Sequence, residues 1–236
     1  KNPGVQNAQF TTFGAGATLK ADATLKGDGG KVIIWSEERT EAAGSITARG
    51  GANGGNGGFV ETSSRDILVF SAAVDTRAPR GRVGTLLLDP SGVCLYDSSN
   101  AGCTGYGSQL QWSGLNLDAT DVIVNTSSAP DDIKIAEGYN WTSTYNLSLL
   151  AHHDIDTNGQ TLANNGGGSM VLVAGWNGNL GAPATTGTGS VIGGGNLDVS
   201  PSAPGGNAGN ITVSGNSISL GNLTADGQDG WSGFAG

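Results

Sequence analysis

Basic residues are scarce in this sequence. Lysine and arginine number 11 against 20 aspartates and glutamates, giving a formal net charge of -9 and an isoelectric point near 4.4. No basic stripe is available to neutralise phosphates, so a nucleic-acid partner is excluded, and the same acidity weakens any case for an anionic membrane surface. Long apolar runs are lacking as well: none approaches the roughly 20 residues a spanning helix needs, so the chain is not expected to cross a membrane. No window concentrates alanine, leucine, glutamate and lysine, which removes the basis for long helices. The opening Lys1-Asn-Pro-Gly-Val5 is neither an initiator start nor a signal peptide, so the chain is expected to be a processed product or a segment of something longer. Cysteine is limited to Cys94 and Cys103, at the two ends of the Gly/Ser/Asn-rich "CLYDSSNAGC". That spacing suits a local disulfide in an oxidising, extracellular setting; two free thiols are the alternative.

What is abundant points to strands. Glycine occurs 42 times, hydrophobic residues make up 36% and charged residues 13%, too apolar and too lightly charged for a disordered tail. Val, Ile, Thr, Ser, Asn and Gly recur throughout, which favours strands and turns and an all-β fold. Laid against itself, the sequence repeats: residues 29–51 ("GGKVIIWSEERTEAAGSITARGG") match residues 57–79 ("GGFVETSSRDILVFSAAVDTRAP") at an offset of 28 residues, with Val32 on Val60, Ser36 on Ser64, Ile46 on Val74 and Arg49 on Arg77. Residues 209–228 follow the same order with a small deletion, and residues 166–180 carry the first half. A period of this size marks a solenoid whose units bury their apolar faces by stacking.

Within a unit the periodicity is two. Val32, Ile34, Ile46 and Ala48 alternate with Ile33, Trp35, Ser45 and Thr47, and Ile211, Val213, Ile218, Leu220 and Leu223 alternate with polar neighbours. The run "RGGANGGNGG" at residues 49–58 then falls at a corner, where residues tolerant of positive φ are expected. A phosphate-cradling loop would need a helix after it, and another strand follows instead. The expected architecture is a right-handed parallel β-helix of about eight to eleven rungs. It is read as one continuous solenoid: β-helix repeats over 1–92, an irregular segment with the cysteine loop and further strands over 93–145, and β-helix repeats over 146–236.

Residues 27–64 and residues 73–92 ("AVDTRAPRGRVGTLLLDPSG") resemble the filamentous-haemagglutinin-like exoproteins of bacterial two-partner secretion, and residues 146–180 are similar to a segment that commonly follows in them. The resemblance covers most of residues 26–180, with "GTLLLDP" its most specific piece. It implies a large β-helical protein, exported through an outer-membrane secretion partner to the surface of a Gram-negative bacterium. Its partners would be a host or matrix surface, protein or glycan, or other copies of itself, in adhesion or biofilm formation. The amino-terminal secretion domain of that family is not evident in these residues, and the cysteine loop lies outside its pattern.

Chemistry is thinly represented. Asp154, Asp156 and Asn158 match the first half of a calcium loop, but the twelfth position is Asn165 and supplies no acid, so they remain a weak metal candidate beside an ordinary strand-and-corner reading. His152 and His153 would face opposite ways on a strand. Carboxylates at Glu37-Glu38, Asp118, Asp121 and Asp131-Asp132 and cations at Arg39, Arg65, Arg77, Arg80 and Arg82 raise the alternative of a polysaccharide lyase or hydrolase. A cross-rung ion pair explains Glu37 with Arg65 equally well. No cofactor is expected, and the chain is read as non-catalytic. Five sequons, at Asn125, Asn140, Asn146, Asn210 and Asn222, barely exceed the three or four that chance would give in roughly this composition. Tyr106, Trp112, Tyr139, Trp141 and Tyr145 concentrate in the irregular segment, as a candidate binding face or as wedges that seat that segment on the rod.

Overall fold

A computed structural model describes residues 6–229. The chain winds through three-sided rungs. A partial rung, β1 (Phe10–Phe13) and β2 (Thr18–Lys20), precedes β3 (Lys31–Ser36), β4 (Arg39–Ala42) and β5 (Ser45–Thr47). The next turn is β6 (Phe59–Ser64), β7 (Ile67–Phe70) and β8 (Ala73–Asp75). The third carries β9 (Thr85–Asp89), β10 (Val93–Tyr96), a 3-10 turn (Asn100–Cys103), β11 (Ser108–Gln111) and a second 3-10 turn (Trp112–Leu115). Regular turns follow: β12 (Asp121–Asn125), β13 (Ile133–Ile135) and β14 (Tyr139–Trp141), then β15 (Leu147–Ala151), β16 (Ile155–Asp156) and β17 (Thr161–Asn164). The series ends with β18 (Met170–Ala174), β19 (Val191–Ile192) and β20 (Asn196–Asp198), then β21 (Ile211–Ser214) and β22 (Leu223–Thr224).

Every ladder between these strands is parallel, and each first strand pairs with the first strand of the next rung in one seven-stranded sheet, β3-β6-β9-β12-β15-β18-β21. The second side holds β1-β4-β7 and then β11-β10-β13-β16-β19; the third holds β2-β5-β8 and then β14-β17-β20-β22. The all-β parallel solenoid read from the repeats is therefore the fold, and the matches are its register: Val32 pairs Val60, Ser36 pairs Ser64 and Ile46 pairs Val74.

Inward positions form columns one rung apart. Val60, Leu86, Val122, Leu147 and Met170 stack along the first side, with Leu88, Val124, Leu149 and Leu172 beside them, and all are buried. Leu68, Val93, Leu95, Ile133, Ile155 and Val191 face them from the second side, all in the same hydrophobic cluster. Burial of one such side chain contributes about 1.5–3 kcal/mol. Ile33, on the outward side of the alternation in β3, is exposed as expected, and Val69 of β7 is exposed too. In the last described rung Ile218 and Leu223 are exposed although their alternation marks them as inward, because no described strand covers them.

The second side carries one strand more than the first. β9 pairs directly with β6 and β12, whereas β10 pairs with β13 on one edge and β11 on the other. β11 in turn lies against β7, with the Leu68 N–H donated to Ser108 Oγ at 3.0 Å. The chain thus overshoots to β10, returns through residues 97–107 and resumes the third rung at β11. On the third side Asn116, in a left-handed conformation, stands in for a strand partner: its amide accepts from Val74 N–H at 3.2 Å and donates to Ala72 C=O at 3.0 Å.

The glycine run does its work mainly by absence of a side chain. Gly54 and Gly55 have the expected positive φ, 131° and 119°. Gly30, Gly58 and Gly84 do not; they form a column just ahead of β3, β6 and β9, where the neighbouring rung's backbone passes within contact distance of any Cβ. A Cβ on Gly58 would meet the carbonyl oxygen of Gly30, and one on Gly84 that of Gly58. We expect Gly58→Ala to cost about 1–3 kcal/mol or more by urea unfolding, since backbone on both rungs must shift. Gly16→Ala, with open space at its Cβ, is the control and should stay within roughly 0.5 kcal/mol.

Candidate functional site

The overshooting strand is stapled from outside. Cys94 and Cys103 are joined in a disulfide, both are buried, and they pack with Ala136, Tyr96 and Tyr106 on the outer face of the second side. Glu137, at the corner just after β13 of the next rung, holds the start of the excursion. Its Oε2 accepts the N–H groups of Asp97, Ser98 and Ser99 at 2.8, 2.6 and 3.1 Å. Those bonds, from Ser99, Ser98 and Asp97, hold its carboxyl below the ordinary value. Nothing in the sequence marks Glu137, because its partners lie 38 to 40 positions away and are backbone groups.

The aromatic residues separate into three places. Trp112 and Trp141 are buried and Tyr139 half-buried, and they stack in series: Trp112 on Tyr139 with ring centroids 5.7 Å apart, Tyr139 on Trp141 at 6.0 Å. Trp112 Nε1 donates to the Glu137 carbonyl at 2.9 Å. This stack seats the irregular third rung on the fourth. Tyr106 lies with the disulfide on the second side, and Tyr145 lines a groove at the corner between the third side and the first. The five rings therefore present no common face.

Most of the metal and catalytic candidates lie apart, each held in its own local contacts. Asp154 Oδ1 accepts from Ser190 N–H and Asp156 Oδ1 from Asn158 N–H, each at 2.8 Å, with Asn158 and Gly159 in the left-handed region of a turn. The half-motif is thus a strand followed by a corner. His152 and His153 do part: the first is edge-on to Trp176, the second reaches Asp132. Glu37 and Arg65 meet across one rung at 3.5 Å on the surface, as the repeat spacing suggested. Asp121 is half-buried and accepts from Asn146 N–H; burial raises its pKa against that bond. Asp131 accepts from Ser128.

A groove at the glycine corner gathers several charged side chains. One part, about 590 Å³, is lined by Asp22, Arg49, Asp75, Arg77, Val83 and Tyr145. It runs into a second part of about 910 Å³ lined by Asn56, Phe59, Arg82 and Asp121, the two sharing Gly81, Val83 and Tyr145. Stacking builds its walls. Asp22 takes Arg49 N–H and guanidinium from the next rung, at 2.8 and 3.1 Å, while Asp75 takes both from Arg77 at 3.0 and 2.7 Å. Asp28 accepts from Asn56 N–H, and Asn56 Oδ1 from Arg82 N–H, one rung at a time. Arg49, Arg77 and Arg82, three of the 11 basic residues, meet here on an acidic chain. The carboxylates are committed to arginines and backbone, so the groove can offer hydrogen bonds and guanidinium contacts along an extended polar ligand rather than a free acid-base pair. Burial pushes the Asp75 carboxyl up, but the hydrogen bonds and charge of Arg77 outweigh it and leave the group below 3.8. Asp22 is lowered in the same way by Arg49.

No protein-family model matches the chain, and no curated protein matches it either.

Two outcomes are expected from this geometry. Because Asp75 is depressed in the folded protein, its contribution to stability is complete above about pH 3.8 and is lost as pH falls through the lower folded value. In Arg77→Gln the side-chain hydrogen bond and charge are lost while the backbone N–H of residue 77 and the charge of Arg49 remain, so the Asp75 carboxyl should titrate higher than in the unsubstituted protein; carbon-detected NMR titration reads both. The double substitution Cys94→Ser, Cys103→Ser should lower unfolding free energy by about 2–3 kcal/mol, the loop-closure contribution of a span this short, as measured by denaturant titration.

Proposed function

We propose that this chain is a non-catalytic, rod-forming segment of a secreted bacterial surface protein of the filamentous-haemagglutinin-like type, presenting its corner groove and side loops for adhesion or biofilm formation. The observation that supports this best is a single hydrophobic cluster running from Ile34 and Ala42 to Val191 and Val199 with no break between rungs. Such a core makes length and stiffness, and every excursion from it, at residues 97–107 and 175–189, leaves sideways into solvent. The Cys94–Cys103 bridge points to an oxidising, extracytoplasmic compartment. No helix among the described residues is long and apolar enough to cross a membrane. The sequence resemblance over residues 26–180 supplies the family and, with it, an outer-membrane secretion partner and a host or matrix surface as partners.

A second reading is a filament subunit that stacks end to end, since parallel rungs can pair between chains as they do within one. Negative-stain electron microscopy of native material, with an intact mass, separates the two. Thin isolated rods from a chain much heavier than 23.5 kDa are the expected result. Long fibres built from chains of that mass would replace it with the filament reading, and turnover of an acidic polysaccharide by the purified chain would overturn the non-catalytic assignment.

A further inference from the structure

Asp132 stands immediately before β13, and Asp154 occupies the same place before β16. Pairing of Ile133 with Ile155 puts the two aspartates in one column, a rung apart, with His153 beside the second. Backbone fixes them. Asp132 Oδ1 accepts the Asp154 N–H at 2.8 Å, and Asp154 Oδ1 accepts the N–H of Ser190, a rung further, at 2.8 Å. Into the gap comes His153 Nδ1, 2.8 Å from Asp132 Oδ1 and 3.7 Å from Asp154 Oδ2. One imidazole nitrogen and two carboxylate oxygens, from three residues on two rungs, lie within 4.8 Å of one another. His152 takes no part: its Nδ1 faces Thr126 Oγ1 at 3.3 Å and its ring meets Trp176. Asp156, the other half of the sequence motif, is held in its own turn and pairs in register with Lys134.

We propose that Asp132, His153 and Asp154 bind a divalent transition ion of the zinc class, which clamps the rung of β13 to the rung of β16. Bonds of about 2.0–2.2 Å at tetrahedral angles put donor atoms roughly 3.3–3.5 Å apart, and the two nitrogen-to-oxygen distances bracket that value. A mixed set of one imidazole and two carboxylates suits zinc and its neighbours; calcium takes six to eight oxygens, and magnesium holds to an octahedron of oxygens and water. The three side chains are 41%, 39% and 28% exposed for His153, Asp132 and Asp154, so a fourth position is open to water and the ion can load from solution. The site rests on the register of the second side alone and is independent of the adhesive reading.

Isothermal titration of the intact chain with zinc chloride, together with cobalt(II) absorption, tests it. One ion per chain, visible bands of four-coordinate cobalt and a thermal midpoint that rises with zinc concentration are expected. His153→Gln and Asp154→Asn should each weaken binding at least tenfold, while His152→Gln and Asp156→Asn leave it within twofold. Amide shifts of the unsubstituted protein on adding zinc, confined to residues 131–134, 152–156 and 190, provide a readout that needs no variant to fold. Absence of saturable binding at millimolar zinc, equal loss in His152→Gln, or shifts centred elsewhere would overturn the proposal.

Discussion

In-register parallel stacking at about 4.8 Å is the constraint on which the rest of this structure depends. A side chain that points inward on one rung must lie on its counterpart from the rung before, so the interior resolves into columns such as Val60-Leu86-Val122-Leu147-Met170. The same rule operates on the outer surface. There it sets Glu37 beside Arg65, Asp22 beside Arg49 and Asp132 beside Asp154, pairs far apart in the chain and one rung apart in space. It also explains the glycine column at the corner, where two backbones come too close for a methyl group.

Variation is admitted only where it leaves the columns alone. The chain lengthens at corners, as in residues 175–189, and returns to the register it left: Val173 pairs with Ser214 and Ile155 with Val191. The β10 excursion is a larger liberty, because it adds a strand on one side without adding one on the next. It is held by contacts that regular rungs do not need: a disulfide, the carboxylate of Glu137 on three amides, Asn116 acting as a strand partner, and the Trp112-Tyr139-Trp141 stack.

Much of the fold was legible because its first rungs are close in length. The 28-residue offset and the alternation of Val32 and Ile34 with Ile33 and Trp35 follow from period-two patterning repeated at a fixed interval. The site features were mostly hidden because the interval then changes. Thr85 pairs with Asp121 but Leu147 with Met170, so no constant offset aligns Asp132 with Asp154 or Glu137 with Ser99. Asp154 drew attention for the wrong neighbours, since a linear motif pairs it with Asp156 and Asn158, whereas stacking pairs it with the previous rung. Of the two readings of the aromatic residues, the wedge describes Trp112, Tyr139 and Trp141, while the winding of the chain carries Tyr106 and Tyr145 to two other places.

The placement of the disulfide has a mechanical meaning. Cys94 and Cys103 both belong to the excursion of a single turn, so their bond closes a small ring on the side of the stack and ties no turn to a distant one. A pull along the axis would load the ladders between turns in series, each carrying the full force, and the bridge would bear none of it. The chain could then lengthen by shedding turns one after another, absorbing work as a tether does, while the ring around residues 94–103 stayed closed.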